Sequence, residues 1–177
     1  MHVTILLGGD IMKIAHVRVD WGQDCFNKDW GLEVVVSGCR RRCCTGCHSP
    51  HLWNFNVGED WGEPLRSRIL NLLQTRKHKA FIVLGGEPLD QAPADLFDLL
   101  STVRPYVEYI ILWTGYSKQH VENLCGKEEW QQVFNLLDYI KVGEYRKDLP
   151  KKGKLASSNQ AVYKVERGRL TEEVEFI

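Results

Sequence analysis

The order of sequence patterns predicts an α/β fold built on a mainly parallel sheet, and three observations carry that reading. Short apolar or β-branched runs at 33–36, 80–84, 109–112 and 139–142 are separated by stretches with helical spacing. Strand–helix–strand alternation is the pattern of right-handed βαβ units and a parallel sheet. Three of these runs also end in a distinctive motif: a cysteine-rich loop, Gly85-Gly86-Glu87-Pro88, and Trp113-Thr114-Gly115-Tyr116. Parallel strands deliver such motifs to one edge of the sheet, where ligands bind in open α/β folds.

In chain order, 16–21 (HVRVDW) alternates and reads as a short strand. Residues 22–30 are polar, contain Cys25 and read as a surface loop. The run 33–36 suits a buried parallel strand. A helix is expected from Gly62, with Pro64 in its first turn and Leu65, Ile69, Leu72 and Leu73 on one face. After the strand at 80–84, a helix over 92–103 presents Leu96, Leu99, Leu100 and Val103. After the strand at 109–112, Ser117 can cap a helix running towards Leu124, and 128–137 supplies further helical turns before 139–142. A basic stretch, 146–154, precedes two strand-like runs at 161–166 and 170–176.

The 177 residues fit one domain, 1–177, long enough to bury a core. Hydrophobic content of 44% and charged content of 26% are ordinary for a soluble globular chain. Lys plus Arg equals Asp plus Glu at 23 each, so no overall charge recruits nucleic acid or a membrane. The apolar run at 3–7 is too short for a membrane span or a signal segment, which predicts a cytoplasmic, reducing location. Met12-Lys13 reads as a second start, leaving 1–11 as an extension with little order.

The chemistry concentrates in 34–53, VVVSGCRRRCCTGCHSPHLW, where four of the six cysteines (Cys39, Cys43, Cys44, Cys47) fall within nine residues. Thiolates that close select a soft or borderline metal, so the loop predicts an iron–sulfur cluster or zinc, with a disulfide framework as the plain alternative. His48 and His51 could complete a Cys3His zinc site. Three thiolates would leave the fourth iron of a four-iron cluster open to a ligand, whereas four would close it. Gly85-Gly86 bares the backbone to a small ligand, and Glu87 offers a carboxylate to an ammonium group. Trp53 and Trp113 read as packing residues, and Cys25 and Cys125 as free thiols. Arg40, Arg41 and Arg42 form either a solvated loop or a positive patch that tunes a cluster or meets an acidic partner. The run 146–154 is a solvated turn or a docking surface.

On VSGC with TGCH and Trp53, GGEPLD at 85–90, WTGY at 113–116, GEYRKDLP at 143–150 and SSNQ at 157–160, the chain resembles the radical S-adenosylmethionine superfamily. Within it, the chain is most similar to the small activating enzymes of anaerobic ribonucleoside-triphosphate reductase, over about 31–160. Two departures stand out. The superfamily spacing C-x3-C-x2-C is replaced by C-x4-C-x2-C through Cys39, Cys44 and Cys47, or C-x3-C-x3-C through Cys43. Cys44 is preferred, because Thr45-Gly46-Cys47 keeps the tight closing turn and Cys43 becomes a spare thiol or back-up ligand. Upstream, 28–33 (KDWGLE) stands where the family has a Gly-rich segment with an Arg, and Glu33 reverses the charge.

The resemblance implies a partial (βα) barrel holding one [4Fe-4S] cluster on Cys39, Cys44 and Cys47. S-adenosylmethionine would chelate the open iron through its amino and carboxylate groups, with Gly85, Gly86, Glu87, Pro88 and Thr114 as cofactor-binding residues. Reductive cleavage would give methionine and a 5′-deoxyadenosyl radical, which takes a hydrogen from a glycine of the reductase. That scheme needs no general acid or base. It implies the reductase and a flavodoxin-like or other one-electron donor as partners, with a homodimer as one assembly. The neighbouring readings are a pyruvate formate-lyase type activase, a 7-carboxy-7-deazaguanine synthase-like enzyme, and a non-enzymatic zinc-binding module.

Overall fold

The computed structural model describes residues 11–176, so the expected extension at 1–11 lies outside the described residues except for Ile11. Among the described residues, eight strands form one open mixed sheet in the order β3-β1-β2-β4-β5-β6-β7-β8. Its centre is the predicted parallel set: β2 (Gly31–Val36), β4 (Ala80–Gly85), β5 (Tyr109–Trp113) and β6 (Tyr139–Val142). On one flank β1 (Lys13–Asp20) pairs antiparallel with β2 and with the short β3 (Glu59–Asp60). On the other, β7 (Ala161–Glu166) and β8 (Arg169–Val174) extend the sheet antiparallel from β6.

Parallel pairing is therefore confined to the middle, and connection length explains why. A parallel return needs about a dozen residues or more, and 21–30 is too short to make one between β1 and β2. Between β7 and β8, Arg167 (φ 51) and Gly168 (φ 70) both take left-handed backbone, the geometry of a tight hairpin turn. The outer strand β8 reads RLTEEV, and its charges discourage pairing with a further strand.

Among the described residues, helices cover one face only. Leu65, Ile69 and Leu73 of α1 (Leu65–Thr75) and Leu96, Leu99, Leu100 and Val103 of α2 (Pro93–Val103) pack on Leu32, Val34, Phe81, Val83, Ile110 and Leu112. Val121 of α3 (Lys118–Cys125) and Trp130 and Phe134 of α4 (Glu128–Phe134) complete that layer. The Ser117 hydroxyl caps α3 by accepting from His120 N at 3.3 Å, as its position predicts. Among the described residues, no helix is long and apolar enough to cross a membrane.

The opposite face carries Ala80, Ile82, Ile111 and Val162, and irregular chain closes it. Here the expectation of a polar surface loop at 22–30 is corrected. Cys25 is fully buried, its thiol donating to Asp29 O at 2.7 Å, and Phe26 packs against Tyr139 and Phe176. Phe26 N is also held by the Tyr109 hydroxyl at 2.9 Å. Among the described residues helices lie on one side only, and the second apolar face recruits Cys25 and Phe26 from an otherwise mostly polar loop, while Trp30 stays exposed.

Beneath that loop lies Glu33, 2% exposed, with Asp20, Asp24 and the Arg18 guanidinium. Burial, reinforced by Asp24, pushes the Glu33 carboxyl up to about 7. A folded-state value above the ordinary one means the fold favours the protonated carboxyl. That stabilisation is complete below about pH 4.5 and disappears as pH rises through 7. Glu33→Gln should flatten this dependence by about 2 kcal/mol. Urea unfolding of both proteins at pH 5 and pH 8 measures it, and parallel losses in the two would refute it.

Candidate functional site

The site is assembled where three parallel strands end. Beyond β2, Gly38 N donates to Leu52 O at 2.7 Å and Cys39 N to Trp53 O at 3.3 Å, so the short turn Pro50–Trp53 pins the start of the cysteine loop. Gly38 has φ +94, and a Cβ there would collide with the Phe55 ring. Beyond β4, Gly86 N donates to Val36 O and Glu87 N to Gly38 O, both at 2.8 Å. A side chain at Gly85 or Gly86 would strike the backbone of 36–38. The glycine pair thus permits two backbones to touch. The sequence assigned those bare amides to a ligand, but the amides of Gly86 and Glu87 fasten the cysteine loop.

Glu87 is 2% exposed, and its carboxylate accepts from Thr114 Oγ1 at 2.6 Å, Gly115 N at 2.8 Å and Leu89 N at 3.1 Å. Burial raises its pKa and these three donors oppose the rise. Glu87 and Thr114 therefore meet as predicted, but they engage each other. Asp90 adds a second tie, accepting from Arg40 N at 2.6 Å and from the Tyr116 hydroxyl at 2.7 Å. Pro88 opens the buried turn Pro88–Asp90 behind the wall and does not line the cavity.

The cavity so enclosed measures about 240 Å³. Its wall includes Cys39, Cys43, Cys44 and Cys47, together with Gly85, Gly86, Glu87, Thr114, Trp53 and Trp113. Every predicted site residue except Pro88 converges there. Cys39 is buried, which raises its pKa, while the amides of Arg42 and Arg41 pull it back by pointing at the sulfur. Cys44 is half-buried; burial raises its pKa and the Tyr145 amide lowers it. Cys43 is exposed, its thiol donating to Glu144 Oε2 at 3.2 Å and accepting from Arg41 Nη2 at 3.1 Å. A thiol turned to a carboxylate is poorly placed as a permanent ligand, whereas amides aimed at Cys39 and Cys44 favour thiolates.

The basic runs are partly structural. Arg41 folds over the Tyr116 ring and bonds Gly115 O and Glu144, and Arg40 lies over Phe55. Arg146 bridges to Thr45 of the cysteine loop and pairs with Asp148, while His48 packs on Tyr145.

Sequence reasoning missed Lys141. It sits near the end of β6, 6% exposed, lining the cavity, with Nζ donating to Gly143 O at 3.2 Å and lying 5.2 Å from the Trp113 ring centre. Burial lowers its pKa to about 8 against the pull of Glu87. Keeping that ammonium charged costs about 3 kcal/mol relative to an exposed lysine. The signal was a lysine inside the buried run YIKV. Trp113 Nε1 is also buried without a partner among the described residues.

These donors fit a cluster better than a single ion. Among the described residues, the one trio of His, Cys, Asp or Glu ligand atoms within 4.8 Å of one another is Asp20, Asp24 and Glu33. No three thiols or imidazoles of the cysteine loop converge as mononuclear zinc requires, whereas thiolates around a multi-iron cluster stand further apart.

An α/β sheet that gathers four thiols, amides aimed at sulfur and a buried ammonium on one cavity defines a metal–thiolate protein. Residues 24–163 match the family described as the 4Fe-4S single cluster domain, and the chain belongs to that family. No curated protein and no solved structure matches it.

If Cys39, Cys44 and Cys47 are the ligands, replacing any of them by Ala should abolish iron retention after anaerobic reconstitution, and Cys43→Ala should spare it. Iron analysis decides, and loss in Cys43→Ala with retention in Cys44→Ala would reverse the assignment.

Proposed function

We propose that this chain is a radical S-adenosylmethionine enzyme that generates the glycyl radical on anaerobic ribonucleoside-triphosphate reductase. The observation that carries the reading is the shared cavity. Four thiols, of which Cys39, Cys44 and Cys47 would leave one iron of a cluster open, face the same space as a buried lysine whose ammonium is hydrogen-bonded to the Gly143 carbonyl. An amino-acid-bearing ligand at the open iron supplies the carboxylate that such a lysine lacks. Membership of a 4Fe-4S family supports the cluster. Gly143, Tyr145 and Gln160, from the GEYRKDLP and SSNQ matches, also line the cavity and support the choice of activase. The parallel centre with helices on one face accords with a partial (βα) barrel that shares its sheet with antiparallel flanks.

Cys39, Cys44 and Cys47 would hold the cluster, which supplies the electron that cleaves S-adenosylmethionine to methionine and a 5′-deoxyadenosyl radical. The Lys141 ammonium neutralises the ligand's carboxylate in a site of low polarity, where the pairing is strong. Glu87, Thr114 and Gly115 keep the wall rigid, because each is already hydrogen-bonded to another. Trp53 and Trp113 supply apolar surface that excludes water from the reacting end. The backbone ties from Gly86 and Glu87 to the start of the cysteine loop fix the distance between wall and thiols. The reductase glycine, a flavodoxin-like or other one-electron donor and a cytoplasmic location belong to this same reading.

Anaerobic reconstitution with iron and sulfide, followed by dithionite and S-adenosylmethionine, should release 5′-deoxyadenosine. Adding the reductase should produce a glycyl-radical doublet by electron paramagnetic resonance. Zinc at one equivalent without iron would overturn the reading. Because Lys141 loses its proton near pH 8, affinity for S-adenosylmethionine should weaken as pH rises through that value. Lys141→Met should bind weakly at every pH. A wild-type affinity flat from pH 7 to 9 would remove Lys141 from this role.

A further inference from the structure

We propose that Cys43 is an exchangeable fourth ligand, closing the cluster's open iron when S-adenosylmethionine is absent and parking between Arg41 and Glu144 when it is bound. The proposal rests on the functional reading above and extends it to the resting state.

Cys43 lines the same cavity as Cys39, Cys44 and Cys47, so a fourth thiol stands beside a three-ligand set that leaves one iron free. It directly precedes Cys44, and adjacent Cα atoms are about 3.8 Å apart. Its sulfur exchanges between the rim and the cavity interior, in this proposal, by a change of χ1 between staggered wells. The parking place is built from distant parts of the chain. Glu144 follows β6 and accepts the thiol hydrogen at 3.2 Å, and Arg41 donates to the sulfur at 3.1 Å and to Glu144 at 3.1 Å. Arg41 is itself anchored on Gly115 O and over the Tyr116 ring, so the clamp is attached to the Glu87 wall. Arg42, immediately before Cys43, takes left-handed backbone at φ 48, a conformation that a non-glycine residue keeps only under local constraint.

The exchange is a ligand substitution without oxidation. On capping, the S–H bond breaks, its proton passes to the Glu144 carboxylate already facing it, and an iron–sulfur bond forms. When the amino and carboxylate groups of S-adenosylmethionine arrive, that bond breaks and the proton returns to sulfur. Soft thiolate suits iron in the empty site, and a chelating ligand displaces a single sulfur by its two attachments. The cap protects the iron that a three-thiolate cluster loses first on oxidation.

The test uses full-length, iron-loaded protein under anaerobic conditions, with and without S-adenosylmethionine. Cys43 alkylation by iodoacetamide, read by peptide mass spectrometry, should be slow without S-adenosylmethionine and rise several-fold with it. Simple shielding by the ligand would give the opposite order and overturn the cap. Limited ferricyanide oxidation, followed through the three-iron signal in electron paramagnetic resonance, should be several-fold faster in Cys43→Ser than in wild type. Adding S-adenosylmethionine should erase that difference. Equal rates in the two proteins, or loss of the whole cluster in Cys43→Ser, would overturn the proposal. A Cys43→Ser protein whose oxidation rate ignores S-adenosylmethionine would instead sink the functional reading, and the proposal with it.

Discussion

The buried carboxylate of Glu87 is the contact on which the functional edge depends. It joins the turn after β4 to the turn after β5 through Thr114 and Gly115 and caps its own turn through Leu89. The amide of the same residue reaches back to Gly38, one position before the first cysteine. One side chain and its backbone thus fix three strand ends that parallel pairing alone leaves free to splay. Each hydrogen bond to a charged group contributes about 1.5–3 kcal/mol. Three of them are comparable to the several kcal/mol that burying a carboxylate costs. Removing any donor leaves that cost uncompensated, so Thr114 is bound to the geometry of Glu87 as tightly as Glu87 is to the fold.

Much of this was legible beforehand, and the reasons are local. The central strands could be read because a strand buried on both faces is apolar at every position, as Val34, Val35 and Val36 are. The helices could be read from Leu and Ile at helical spacing. The cysteine loop was legible because no packing argument explains four thiols in nine residues. What escaped was decided by contacts between distant segments. Cys25 looked like a loop residue because nothing nearby reveals that one sheet face lacks helices. Lys141 went unmarked within the run 139–142, since its environment is made by Trp113, Glu87 and the cysteine loop. The glycine pair lies on the cavity wall and also makes room for the backbone of 36–38: sequence shows that a side chain is missing without showing which neighbour needs the room.

The two faces of the sheet are held by different means. Helices α1 to α4 lock one face with interdigitating aliphatic side chains, while loop 21–30, Leu155 and Phe176 close the other through a few aromatic contacts and isolated hydrogen bonds. Carboxylates and an ammonium are tolerated on that second side, where Glu33 and Lys141 are buried and Asp24 half-buried. The cofactor cavity opens along the same side, so polarity and irregular backbone are concentrated where a polar ligand would enter.

That division bears on how such a chain can change over generations. The cover comes from segments outside the β2–β6 crossover core, and lengthening an irregular segment costs little, since closure entropy grows only with the logarithm of its length. New loops, or a whole inserted module, can therefore be grafted over the cavity while the helical side is inherited intact. What the cavity admits can diversify on one side of the sheet at almost no expense to the stability supplied by the other.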